Sequence, residues 1–116
     1  FGRIYSYLEE LGYNPDREYI RIEGWLVQFV PASESIQEEA VAQANRVAFA
    51  GAYTSMFSAE HLGAELLRAG RLKDLARVMA LLNSEQMNME VFHDIIHRHG
   101  LAEKWKEFAL RYDWEE

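Results

Sequence analysis

The sequence predicts an α+β fold: two short β-hairpins forming a small sheet, covered by helices, with a helical C-terminal half. Three observations lead there. Period-two alternation flanks the Glu23–Gly24 turn, and β-friendly residues lie on either side of a second glycine turn at Ala50–Gly51. From Ser58 onward the apolar residues recur only at three- and four-residue spacing. Strand and helix patterns are therefore segregated along the chain, as in α+β architectures.

The elements follow in order. Ile4, Leu8 and Leu11 have helical spacing, and Gly12 is placed to end that helix. "NPD" at 14–16 reads as a turn. In "EYIRIEGWLVQFVP", Ile20 and Ile22 alternate with Arg21 and Glu23, and Glu23–Gly24 forms a tight turn. The returning strand, ended by Pro31, is apolar on both sides, which predicts a covered interior strand. Ser35 and Glu38 have capping-box spacing before a short helix carrying Ile36, Ala40 and Ala44. "VAFAGAYTSMF" folds back on itself at Ala50–Gly51 as a second hairpin.

Ser58 caps the first helix of the second half, with Leu62, Leu66 and Ala69 on its apolar face and Gly70 at its end. Leu72, Leu75, Met79 and Leu82 line the next helix. Asn88 caps a third, bearing Val91, Phe92, Ile95 and Ile96 up to Gly100. Leu101, Trp105, Phe108 and Tyr112 form a fourth stripe, a core or subunit contact. The expected organisation is a single domain over 1–116, with a mixed part at 1–57 and a helical part at 58–116. The chain enters an amphipathic pattern at its first residues, and a part of a larger domain is expected.

Composition restricts function. The chain has 116 residues and is 49% hydrophobic and 27% charged, which is enough for one modest core. A net charge of −7 disfavours a general binder of nucleic-acid phosphates. There is no cysteine, hence no thiolate metal site or cysteine nucleophile, which fits a cytoplasmic setting. No apolar run approaches the roughly 20 residues of a membrane span, so no membrane partner is expected.

Candidate chemistry gathers in two places. "AGRLKDLARVMALL", 69–82, crowds Arg71, Lys73, Asp74 and Arg77 into its first turns. Asp74 lies three residues after Arg71 and three before Arg77, spacing suited to a helix-surface charge network. The alternative is a site in which Lys73 meets a phosphate and Asp74 orients it. "HDIIHRH" places His93 and His97 four apart on one helical face, which is metal-ligand spacing, although two ligands do not close a zinc site. Both are expected to face solvent, with His99 half-buried and interacting with the last helix carbonyls. His61 beside Glu60 reads as a first-turn surface pair. No phosphate loop, nucleophile elbow or dinucleotide fingerprint is present.

Three stretches taken together, "EYIRIEGWLVQFVPA" (18–32), "VAFAGAYTSMFSAEHLGAELL" (47–67) and "AGRLKDLARVMALL", resemble the second half of nucleotidyltransferase-fold proteins of the abortive-infection and minimal nucleotidyltransferase superfamily. The resemblance implies a bacterial protein of nucleotidyl-transfer ancestry, using a nucleoside triphosphate and carboxylate-held Mg²⁺. It carries over Arg71, Lys73 and Asp74 from an "R-x-K-D-x-x-D" motif, with Arg71 and Lys73 near nucleotide phosphates. The family's Gly-Ser turn and Asp-x-Asp pair lie upstream of the matched region. Gln28 stands where a third metal carboxylate belongs, and Arg77 replaces the motif's last Asp. A neutral amide is a poor ligand for a hard cation.

Two functional expectations follow. The chain is a nucleotidyltransferase-like portion without a complete site, inactive by itself and needing Mg²⁺, nucleotide and a missing upstream segment. Alternatively it is a non-catalytic protein-interaction or self-association module, antitoxin-like or regulatory. A half-fold leaves sheet edges and apolar surface open, so a homodimer is expected.

Overall fold

The computed structural model describes residues 2–17 and 19–115, with Phe49 described by its backbone. Glu18, where the first hairpin pattern opens, lies outside the described residues. Among the described residues, six helices and two separate antiparallel sheets, of three and two strands, make up an α+β fold with a helical C-terminal half. The chain forms two compact units, residues 1–32 and 33–116.

The first unit holds helix α1 (Gly2–Glu10) and strands β1 (Pro15–Asp16), β2 (Tyr19–Ile22) and β3 (Trp25–Gln28), in the order β1-β2-β3. Helix α1 ends at the expected glycine: Gly12 has φ +95°, a conformation that costs other residues strain. The predicted Glu23–Gly24 turn is present with φ 49° and 85°, the pair of left-handed conformations that a two-residue type I′ turn requires. It sets the register Ile22↔Trp25 and Tyr19↔Gln28. Tyr5 of α1 meets Phe29 edge to face at 5.7 Å, and Tyr13 donates its hydroxyl to Glu23 at 2.6 Å.

Strand β3 differs from expectation. It is an edge strand, paired only with β2, and Trp25 and Leu26 are exposed at 76% and 54%. Its apolar character on both faces does not reflect burial on both faces. Pairing also stops at Gln28, three residues short of Pro31. Ile20 is the one fully buried side chain among the described residues of this unit.

The second unit contains α2 (Ser35–Ala42), the hairpin β4 (Asn45–Phe49) and β5 (Ala52–Met56), then α3 (Ala59–Ala69), α4 (Leu72–Leu82), α5 (Met89–Arg98) and α6 (Ala102–Arg111). The cap of α2 falls one residue before the predicted Ser35. Glu34 is the N-cap, and Gln37 Oε1 accepts from the Glu34 and Ser33 N–H groups at 3.2 and 3.0 Å. The Ala50–Gly51 turn, with φ 51° and 80°, is again of the primed kind. The two hairpins do not join into one small sheet, as the sequence suggested; each is a sheet of its own.

Helix α3 is the centre of this unit, packing against α2, α4, α5 and α6. Ser58 caps it by accepting the His61 N–H, and Gly70 ends it in the left-handed region, both as predicted. Its buried face is His61, Gly63, Ala64 and Leu67, not the expected Leu62, Leu66 and Ala69. At Gly63 the Phe92 ring comes close: a Cβ there would lie 3.1 Å from it. Leu62 is exposed, and Leu66 packs against the core only in part. The core consists of Ile36, Leu67, Leu75, Val78, Phe92, Ile95, Ile96, Trp105 and Phe108 with their smaller neighbours. Trp105 stacks on Phe108 at 5.6 Å and meets Phe92 edge-on at 5.4 Å, as the α6 stripe predicted. Leu72 and Val91, expected in their helices' apolar stripes, are exposed. Among the described residues, no helix is long and apolar enough to cross a membrane.

Candidate functional site

The α4 motif is a helix start. Arg71 is the N-cap, and Asp74 occupies the third helical position, where a carboxylate can reach the open N–H groups of the first turn. Asp74 Oδ2 accepts from the Arg71 backbone N–H at 3.3 Å and from its Nε at 2.6 Å. Oδ1 accepts from Arg71 Nη2 at 3.3 Å. The Asp74 side chain is fully buried beneath a guanidinium that remains 63% exposed. The Arg71 hydrogen bonds hold the Asp74 carboxyl below its ordinary range against the opposing effect of burial. Both carboxylate oxygens are thus committed within the helix turn.

Lys73 and Arg77 take no part in that pair. Both are exposed, and no ion pair among the described residues engages either of them. Of the charge network expected around Asp74, the close contacts reduce to Arg71, with Lys73 adding a weaker electrostatic pull on the carboxyl.

His93 and His97 sit one turn apart on α5 with ring centroids separated by 6.4 Å. His93 was expected to face solvent. It is instead half-buried, with its ring edge-on to Trp105 at 5.3 Å, because α6 crosses this side of α5. His97 is exposed. Among the described residues no group of three or more His, Cys, Asp or Glu side chains is arranged to hold a metal ion.

Among the described residues, a larger polar cluster lies elsewhere and centres on Glu39 of α2. Arg98, at the end of α5, grips it with Nη1 2.5 Å from Oε1 and Nη2 3.2 Å from Oε2. His61 Nε2 lies 2.9 Å from Oε2, and His99 Nε2 lies 3.2 Å from the same oxygen, near enough to pair but off the line of a hydrogen bond. Ser58 Oγ is 2.8 Å from His61 Nδ1, and Ser35 Oγ is 3.1 Å from His99 Nδ1. Asp94 holds the far side of Arg98 at 2.8 Å. Arg98 foremost, then His61 and His99, lower the Glu39 carboxyl to about 2 despite burial. An ionised Glu39 only accepts, so His61 directs its Nε2–H at Glu39, and in the neutral ring Nδ1 accepts a hydrogen bond from the Ser58 hydroxyl.

These contacts correct two expectations. His61 is buried against Glu39 and is not a surface partner of Glu60. The His99 side chain reaches Ser35 and Glu39, and it is the backbone N–H that meets the last carbonyls of the helix, bonding Ile95 O at 3.1 Å. No local signal marks the cluster, since His61 and Arg98 stand 22 and 59 residues from Glu39. Chemically it resembles a Ser-His-Glu relay, but Ser58 is committed to capping α3 and Glu39 to Arg98. The arrangement fastens α2 to α3 and α5.

Comparison with known proteins finds no matching family model, no matching curated protein and no matching solved structure.

Proposed function

We propose that the chain is a non-catalytic interaction module that associates with a second copy of itself, a retained piece of a nucleotidyltransferase-like frame. The observation that carries this reading is the β4–β5 hairpin. Its strands contact chiefly each other, and all five residues of β5 are exposed, Tyr53 at 70%. A lone two-stranded hairpin is marginal in water, and its open edges are templates for pairing with another chain. Edge strand β3, with exposed Trp25 and Leu26, offers a similar surface.

The enclosure of Asp74 supports the non-catalytic part. A magnesium-binding carboxylate needs an open oxygen, and both of its oxygens are engaged by Arg71. Incubation with a labelled nucleoside triphosphate and Mg²⁺ is expected to transfer no label to any acceptor. Transfer by the purified chain would overturn the reading.

A second reading, nucleotide binding through Lys73, is favoured by one fact: Lys73 is exposed and has no carboxylate partner among the described residues. Under it, titration with ATP and Mg²⁺ gives heat that Lys73→Ala weakens. Under the interaction reading there is no heat to lose.

A further inference from the structure

Leu62 and Leu66 of α3 line a groove against α4. It is lined by Leu62, Leu66, Ala80, Leu81 and Arg77, with a volume of about 320 Å³. Leu62 and Leu66 hold the spacing that would ordinarily face a core, yet Leu62 is 39% exposed. The floor is apolar, and Ala80 leaves room for an incoming side chain. Charge is confined to one side. Arg77 stands in the groove wall, and Lys73 stands one turn earlier on the same face of α4. Neither has a carboxylate partner among the described residues. The nearby acids are already taken, Asp74 by Arg71 and Glu65 by Arg68 and Gln37. In a chain of net charge −7, two cations without an ion-pair partner thus stand beside an apolar floor.

We propose that the α3–α4 groove receives an acidic amphipathic helix from another protein. Leucine-sized residues at i, i+3 or i+4 and i+7 of such a helix would enter between Leu62, Leu66 and Leu81. Its flanking carboxylates would pair with Arg77 and Lys73, fixing direction and register. Charge complementarity selects this occupant, since a basic helix would meet two unpaired cations. The groove shares no residue with the β4–β5 hairpin, so this inference is independent of self-association.

The test uses two fluorescent helical peptides of about 16 residues, long enough to form four turns. Both carry the same leucine face; one is flanked by Glu and the other by Lys. Anisotropy titrations against the full chain are expected to show binding of the Glu peptide alone, weakened by salt. The double variant Lys73→Glu, Arg77→Glu should lose at least tenfold for the Glu peptide and gain binding of the Lys peptide. Both substitutions are on the surface, and thermal melts establish that the variant is folded. Leu66→Ala should weaken the Glu peptide as well. The variant Tyr53→Asp, aimed at the hairpin, should leave peptide binding intact. No binding, equal binding of both peptides, or an unchanged titration in the double variant would overturn the proposal. Loss of self-association in the double variant would also overturn it, by assigning the groove to a second copy.

Discussion

Glu39 and Asp74 are both carboxylates gripped by an arginine, and they differ in how far along the chain that arginine lies. Arg71 stands three residues from Asp74 on the same helix start; Arg98 stands 59 residues from Glu39 on another helix. The Asp74 pair closes one turn and would form in any context that allowed α4 to start. The Glu39 cluster exists only once α2, α3 and α5 have packed, and it then fastens α2 to the other two. A local pair sets where a helix begins, whereas a distant one reports that the tertiary fold is complete.

The largest expected effect is therefore at Glu39. Glu39→Ala leaves Arg98 and the buried His61 without their shared acceptor, and should cost about 2–4 kcal/mol in urea unfolding. A loss no larger than that of Asp74→Ala would break the contrast. Acid provides the next test. The folded Glu39 carboxyl is lowered to about 2 from an ordinary value near 4.5. Its contribution is thus fully present above the ordinary value and is lost as pH falls toward about 2. Urea midpoints measured between about pH 6 and pH 3 should fall, and Glu39→Gln should fall less steeply. A variant as steep as the parent would show that other carboxylates control the acid response.

Asp74→Ala should cost about 1–2 kcal/mol, the scale of a lost helix cap, with the change in helix content confined to α4. Hydrogen exchange localises it; protection lost equally in α5 would remove the distinction between local and distant pairs. The smallest effect is at Lys73, whose replacement by Ala should change stability by less than about 0.5 kcal/mol.

The same contrast explains what could be read in the sequence. The Glu23–Gly24 and Ala50–Gly51 turns, the Ser58 and Asn88 caps and the Gly70 stop are chain-local, and all are present where expected. The α6 stripe of Trp105 and Phe108 also faces the core as read, because one helix face meets one core. Periodicity failed on α3, which touches four helices, with the Phe92 ring close to Gly63 on the buried stripe. It failed on β3 because an apolar edge strand and an apolar interior strand have the same composition. For the candidate site, Arg71 with Asp74 was visible as spacing. The burial of Asp74 was not, since it depends on the packing around α4. The Glu39 cluster, with partners on three helices, left no trace in any short stretch.

The interaction reading rests on an exposed hairpin seeking a partner, and its most direct test is the mass of the chain in solution. Light scattering at micromolar concentration should give twice the 13.5 kDa of one chain, falling to the single-chain mass for Tyr53→Asp. A parent chain that scatters as a monomer across that range would contradict the account.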